Sequence, residues 1–280
     1  VKGGIVRHRK RVVLRALALA IIGCLSLASC GAGGSDHRIR IGIKFDQPGL
    51  GYQDGTGYSG FDVDVATYLA GKLGYSPDQI EWVQSPSANR ENMLSNHQVD
   101  MIVATYSITD KRKKSVDFAG PYFVAGQDLL VQKSNADIHG PDDLNGKNLC
   151  SVQGSTSAAK IKEKYAENAN LVELNSYAEC IGALEAGRID ALTTDDIILA
   201  GLASTGTNKG KFKLTGQTFT EEKYGVGLPK GTTRCPEISK AITSMVDDGS
   251  WEKFVSKNTE GSGYEFDAKA NPPKPTEGCA

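Results

Sequence analysis

From residue 39 to residue 255, segments with strand patterning alternate with segments of helical periodicity, and this restricts the chain to an α/β fold with largely parallel sheets. Residues 39–43, Ile-Arg-Ile-Gly-Ile, alternate as a half-buried strand does, and a long polar loop rich in Gly, Asp and Tyr follows. From Phe61, apolar Val65, Tyr68, Leu69 and Leu73 recur at helical spacing, with Asp62 and Asp64 at the positive helix end and Gly74 placed to stop it. Strands are expected over 80–83 and 99–104, flanking a short helix over 89–96. A second βα series runs over 149–203, with helices over 157–167, 177–185 and 196–203, a strand over 189–192 and Gly187 as a helix stop. A strand over 224–228 and helices over 236–247 and 251–255 close the series. No tandem repeat at a solenoid period is present.

The first 29 residues read as an export signal. Lys2, Arg7, Arg9, Lys10, Arg11 and Arg15 precede an apolar run over 16–27, with no acidic residue among them. About a dozen apolar residues are too few to cross a bilayer comfortably. Leu27-Ala-Ser-Cys30 resembles the bacterial lipobox, in which Cys30 would be diacylated and two acyl chains would give a stable anchor. Residues 30–37 then form a flexible tether, and the protein is expected on the outer face of a membrane. Beyond the signal, 26 Lys and Arg face 33 Asp and Glu. With no basic stripe interleaved with aromatics, that balance excludes a nucleic-acid partner. Scattered histidines and the absence of a CxxC pair give no zinc pattern, so no metal and no cofactor are expected.

Seven segments occur in one order: Phe61-Asp-Val-Asp64, Val99-Asp100, Ser107-Ile-Thr-Asp-Lys-Arg112, Val116-Asp-Phe118 with Pro121-Tyr122, Asp143-Leu-Asn-Gly-Lys147, Leu184-Glu-Ala-Gly-Arg-Ile-Asp190 and Tyr224-Gly-Val-Gly-Leu-Pro-Lys-Gly231. Together, over about residues 38–258, they resemble the polar amino-acid binding proteins of ABC importers, the bacterial extracellular solute-binding family 3. The resemblance implies a two-lobed periplasmic-binding-protein-like (type II) fold, with two crossing hinge strands and the ligand clamped between lobes. Lobe 1 would comprise 36–123 and 225–270, lobe 2 would comprise 128–220, and 271–280 would be a Pro-rich tail. The crossings would fall near 122–129 and 222–227. Four cysteines beyond Cys30 allow three pairings, which sequence alone does not resolve. Export favours disulfides, and the preferred pairs are Cys150–Cys180, within lobe 2, and Cys235–Cys279, which would staple the tail back onto lobe 1.

A free amino acid carries a carboxylate and an ammonium, so its binder needs a fixed cation–donor cluster and a fixed anion. Arg112 matches the family arginine, whose planar fork holds the α-carboxylate, aided by Ser107, with Thr105 on the same strand end. Gln153-Gly-Ser-Thr-Ser157 offers N–H groups at a helix N-terminus, so Ser155 and Thr156 are expected to meet the same carboxylate. Asp195 matches the carboxylate that receives the α-ammonium, while its neighbour Asp196 opens a helix. Tyr177 falls where related binders place a ligand-facing side chain. The resemblance implies two further contacts: Lys44, after the first strand, stands where glutamine and glutamate binders place a contacting residue, and Arg90, at the head of the short helix, where acidic-amino-acid binders meet the side-chain carboxylate. A buried charge is costly unless paired, so these two favour a ligand with a second carboxylate: glutamate first, aspartate next, glutamine third. The alternative is that they pair with protein acids such as Asp46 or Glu91.

The resemblance further implies a monomer that delivers its ligand to an ABC permease. The same fold serves a few dehydratases and sensor lobes, and fold does not settle function. No nucleophile–His–acid set can be assembled from the histidines beyond the signal, so no enzymatic activity is expected.

Overall fold

The computed structural model describes residues 38–164 and 169–280. Thirteen strands appear among them. They are β1 (Ile39–Ile43), β2 (Asp46–Gln47), β3 (Gly51–Asp54), β4 (Gly57–Ser59), β5 (Ile80–Gln84), β6 (Met101–Ile102), β7 (Val116–Ala125), β8 (Gln127–Gln132), β9 (Lys147–Val152), β10 (Ala169–Leu174), β11 (Ala191–Asp195), β12 (Phe212–Leu214) and β13 (Glu222–Pro229). The helices are α1 (Phe61–Lys72), α2 (Arg90–Ser95), α3 (Asp110–Lys113), α4 (Thr156–Lys164), α5 (Tyr177–Glu185), α6 (Asp196–Ser204), α7 (Cys235–Asp247) and α8 (Ser250–Thr259).

Two five-stranded sheets carry the fold, in the orders β5-β1-β6-β13-β7 and β10-β9-β11-β8-β12. In each, the βα series supplies the parallel pairs, β1 with β5 and β6, and β9 with β10 and β11. The other half of each sheet is antiparallel, through β13 with β6 and β7 and through β8 with β11 and β12. The expectation of largely parallel sheets is therefore corrected to mixed ones. The reason is connectivity: β7 leads from the first sheet through the single residue Gly126 into β8 of the second, and β13 returns beside β7. A side chain at Gly126 would put its first carbon 2.6 Å from Thr218 Cβ on the returning segment, so glycine lets the two crossings run side by side.

Helix α1 shows how the local code works. Phe61, Val65, Ala66, Leu69 and Ala70 form its buried face against the first sheet. Its first N–H groups, which have no intrahelical acceptor, donate instead to Gly49 O and Leu50 O from the preceding loop. That approach requires Gly60, at φ 121°, because a Cβ there would lie 2.0 Å from Leu50 O. Beyond α1, Trp251 of α8 packs against Phe61, Phe123 and Phe266 and donates its indole N–H to Tyr122 O at 2.7 Å. Removing a fully buried aromatic of this kind costs about 3–5 kcal/mol.

The loop expected after β1 is instead a small antiparallel sheet, β2-β3-β4, whose pairing of Tyr52 with Ser59 and Gln53 with Tyr58 closes a hairpin at Gly55. The strand expected over 99–104 pairs only at Met101–Ile102, because the chain turns out of the sheet at Thr105 with φ +46°. The strand expected over 189–192 runs as Ala191–Asp195. Helix α4 is Thr156–Lys164, and residues 165–167 of the expected helix lie outside the described residues.

Cys150 of β9 is bonded to Cys180 of α5, and Cys235 at the start of α7 to Cys279 in the tail. The preferred pairing is thus found. The tail runs along β7, the edge strand of its sheet. Asn271 exchanges two bonds with the Val124 backbone, and the Thr276 and Ala280 N–H groups donate to Gly120 O and Phe118 O. An edge that could pair with another chain is covered. Cys30 and the signal segment lie outside the described residues. No helix among the described residues is long and apolar enough to cross a membrane.

Candidate functional site

The C-terminal ends of β6 and β11 and the N-termini of α4, α5 and α6 converge on one small cavity, where ligand groups of α/β sheets gather. It is lined by Arg90, Thr105, Ser155, Thr156, Tyr177 and Asp195, together with Ser87, Ser157, Thr194 and Ile198. Six of the nine residues expected to bind ligand are therefore brought together.

Two of the lining residues carry a buried side-chain atom without a hydrogen-bond partner among the described residues, Arg90 at Nε and Asp195 at Oδ1. Arg90 is buried, and its NH1 donates to Ala104 O at 2.8 Å. Burial first, and the neighbouring Arg112 charge second, bring Arg90 down to about 10, still a cation at neutral pH. Asp195 closes β11 at the start of α6, and its Oδ2 accepts from Tyr224 of β13 at 2.5 Å. Burial, then the Glu222 charge, push its carboxyl well above the usual range. Asp196 has the structural role: its Oδ1 accepts from the Ile197 and Gly126 N–H groups and from Tyr264 Oη.

Thr105 enters the cavity from a strained position. A β-branched residue rarely adopts positive φ, and one that does needs surroundings that impose it. Here the imposing group is Asp62, fully buried, which accepts from Thr105 N at 2.9 Å and from Tyr122 Oη at 2.7 Å. Asp62 thus does more than favour a helix end. Opposite it, Tyr177 bonds Thr194 Oγ1 at 2.6 Å and donates its backbone N–H to Asp46. Thr156, the first residue of α4, bonds Ser107 Oγ at 3.3 Å.

Ser107, Arg112 and Lys44 stand one layer behind the wall. Arg112 gives Nε to Glu91, NH1 to Ser107 O and NH2 to Gly154 O, so it ties the start of the β7 lobe to the loop before α4. It lines an adjoining space that shares Ser87, Ser155 and Thr156 with the cavity. Lys44 does not line the cavity; its Nζ lies 5.7 Å from the Tyr177 ring centroid and 3.5 Å from Asp46 Oδ1. Burial lowers its pKa, with Asp46 opposing. Of the two protein acids considered as partners, Asp46 pairs with Lys44 and Glu91 pairs with Arg112 rather than Arg90.

The lining residues that sequence reasoning passed over were close to hand. Ser87, Ser157 and Thr194 each lie within segments singled out for a neighbour, and Ile198 lies in the first turn of α6. Nothing in local sequence marks Asp62 or Tyr224 as supports, because each acts on a residue more than 25 positions away.

Residues 39–260 match the bacterial extracellular solute-binding proteins, family 3. The chain belongs to this family. The family match covers both sheets and every residue lining the cavity. Among its relatives, the glutamate-binding protein GluB of Corynebacterium efficiens is 39% identical over 264 residues, 87% of this chain and 89% of that protein. The ABC transporter glutamine-binding protein GlnH of Bacillus subtilis is 35% identical over 85% of this chain and 94% of that protein. Among solved structures of the same fold, an ancestral arginine-binding protein bound to glutamine superposes with a TM-score of 0.73 at 33% identity, covering 79% of this chain and 97% of that one. As family members these are two-lobed binding proteins, and so is this chain.

Proposed function

We propose that the protein captures an acidic amino acid, glutamate before aspartate, with glutamine a weaker ligand, and delivers it to an ABC permease. The observation that carries this reading is the pair Arg90 Nε and Asp195 Oδ1, buried unpartnered atoms of a guanidinium and a carboxyl on two residues that line the same cavity. An ammonium on Asp195 and a carboxylate on Arg90 would satisfy both. The α-carboxylate is then left for the first N–H groups of α4, at Thr156 and Ser157, with Arg112 behind them. A neutral side chain would leave the Arg90 guanidinium buried without a counter-charge, which is costly. The 39% identity to a glutamate-binding protein supports the same choice.

In this reading the lobes are 36–123 with 225–270 and 128–220, and each holds one part of the ligand. Closure follows from the ligand's differential affinity for the closed arrangement. Diacylation of Cys30 would anchor the protein on the outer membrane face through the tether. The reading also makes it a monomer. Calorimetric titration of the purified protein with each common amino acid tests the ligand assignment. Tightest binding of glutamate is expected, and tightest binding of arginine or a neutral amino acid would overturn it. Cys30→Ala is expected to release the protein from the membrane, and its retention there would overturn the assignment of Cys30 as the anchor.

A further inference from the structure

We infer that Tyr106 is a specificity-determining positioning residue, whose ring carries the guanidinium groups of both Arg90 and Arg112 and so fixes the orientation of the Arg90 guanidinium beside the cavity. The inference rests on the reading of Arg90 as the receptor for a second carboxylate. Arg90 Cζ lies 4.2 Å from the ring centroid and Arg112 Cζ lies 4.8 Å from it. Two like charges this close to one fully buried ring repel one another, and water is not there to screen them. An aromatic face attracts each cation electrostatically, and the attraction strengthens when the groups are desolvated. Stacking also fixes the plane of a guanidinium. With NH1 of Arg90 held by Ala104 O, the ring is the second point that determines where Nε points.

The ring itself is set by its neighbours. Phe118 meets it edge-on at 4.8 Å. On β13, residue 227 is glycine, and a Cβ there would stand 2.6 Å from Tyr106 Cε1. The slot exists because that side chain is absent. The Tyr106 hydroxyl is buried, with no hydrogen bond of good geometry but with the Glu91 carboxylate close enough to act on it, and Tyr106→Phe separates that contribution from the ring's.

The test is calorimetry with glutamate and with glutamine on the wild-type protein and on Tyr106→Leu, Tyr106→Phe, Gly227→Ala and Arg90→Met, each checked by circular dichroism. Tyr106→Leu keeps apolar bulk and loses the ring. It is expected to weaken glutamate about tenfold, the scale of a desolvated cation–π contact, with glutamine changed less. Tyr106→Phe is expected to rescue the wild-type preference. Gly227→Ala reaches the same ring from the opposite strand and is expected to narrow the preference even if Tyr106→Leu does not fold. Equal losses for both ligands in Tyr106→Leu, or no rescue by phenylalanine, would overturn the inference. If Arg90→Met loses the preference while Tyr106→Leu and Gly227→Ala keep it, the Tyr106 inference alone fails. If Arg90→Met keeps it, the reading of Arg90 fails and takes the inference with it.

Discussion

Tyr224 donates its hydroxyl hydrogen to Asp195 across the junction of the two sheets, 2.5 Å from Oη to Oδ2, and leaves Oδ1 without a partner among the described residues. The bond holds one oxygen of a buried carboxyl at the returning crossing strand, so the other is presented in a fixed direction.

This arrangement predicts proton release on binding. The Asp195 carboxyl is raised by burial and by Glu222, and an arriving ammonium favours its ionised form, so the bound pKa lies below the free one. The complex then holds fewer protons than the free protein, and affinity is lost as pH falls through the free pKa. Calorimetry in two buffers of different ionisation enthalpy should detect release, with affinity weakening as pH is lowered. Proton uptake would contradict the assignment. Asp195→Asn is expected to weaken every amino-acid ligand by about two decades or more, as for a buried pair that loses one partner.

Asp62 predicts a pH-dependent stability. Its folded pKa is about 6 against an ordinary 3.8, because burial outweighs its bonds from Tyr122 and Thr105. Between those values the folded state holds more protons than the unfolded one, so this group lowers stability as pH rises from about 4 to about 6 and has no further effect above. Two units correspond to about 3 kcal/mol. Denaturant unfolding at pH 4 and pH 7 should show the wild-type losing about that much relative to Asp62→Asn. A gap between the two proteins that does not change with pH would count against it.

The tail predicts a stability and an association effect. Loops of 30 and 44 residues closed by Cys150–Cys180 and Cys235–Cys279 give about 3–4 kcal/mol each in the chain-entropy model. Cys279→Ser should lower the unfolding free energy by that order. Deleting 271–280 should also uncover the β7 edge and promote self-association, read by light scattering after size exclusion. An unchanged melting curve for Cys279→Ser and a monomeric deletion variant would show the tail to be incidental.

What the sequence revealed and what it hid divide along contact distance. Helices such as α1 and α5 are set by apolar spacing and by caps a few residues away, and Tyr177–Glu185 falls where the pattern places it. Arg90 and Asp195 stood out because they match positions at which the resembled binding proteins meet their ligand. The hairpin over 51–59 was hidden because Gly, Asp and Tyr in short alternation read as loop until the strands pair. The antiparallel half of each sheet was hidden too, since it depends on β13 returning beside β7 about a hundred residues later. The three contacts of Arg112 draw on Glu91, Ser107 and Gly154, which no local pattern joins. Placing Lys44 beside Tyr177 likewise needed the packed tertiary structure.

Arg112 predicts a loss common to all ligands. It holds Ser107 O and Gly154 O, and so fixes the segment that leads into α4 whichever amino acid is present. Arg112→Met should weaken glutamate, aspartate and glutamine by similar factors. A loss confined to the acidic ligands would reassign it to the side-chain pocket.

The most direct test of the account is a titration of Arg90→Met with glutamate and with glutamine beside the wild-type protein. If Arg90 receives a second carboxylate in a closed cavity, removing it leaves that charge buried without its partner. The expected cost is about 3–5 kcal/mol, or two to three decades in the dissociation constant for glutamate. Glutamine, with no second charge, should lose far less. Equal losses for the two ligands would show that Arg90 only supports the wall of the site, and would contradict the capture of an acidic amino acid through it.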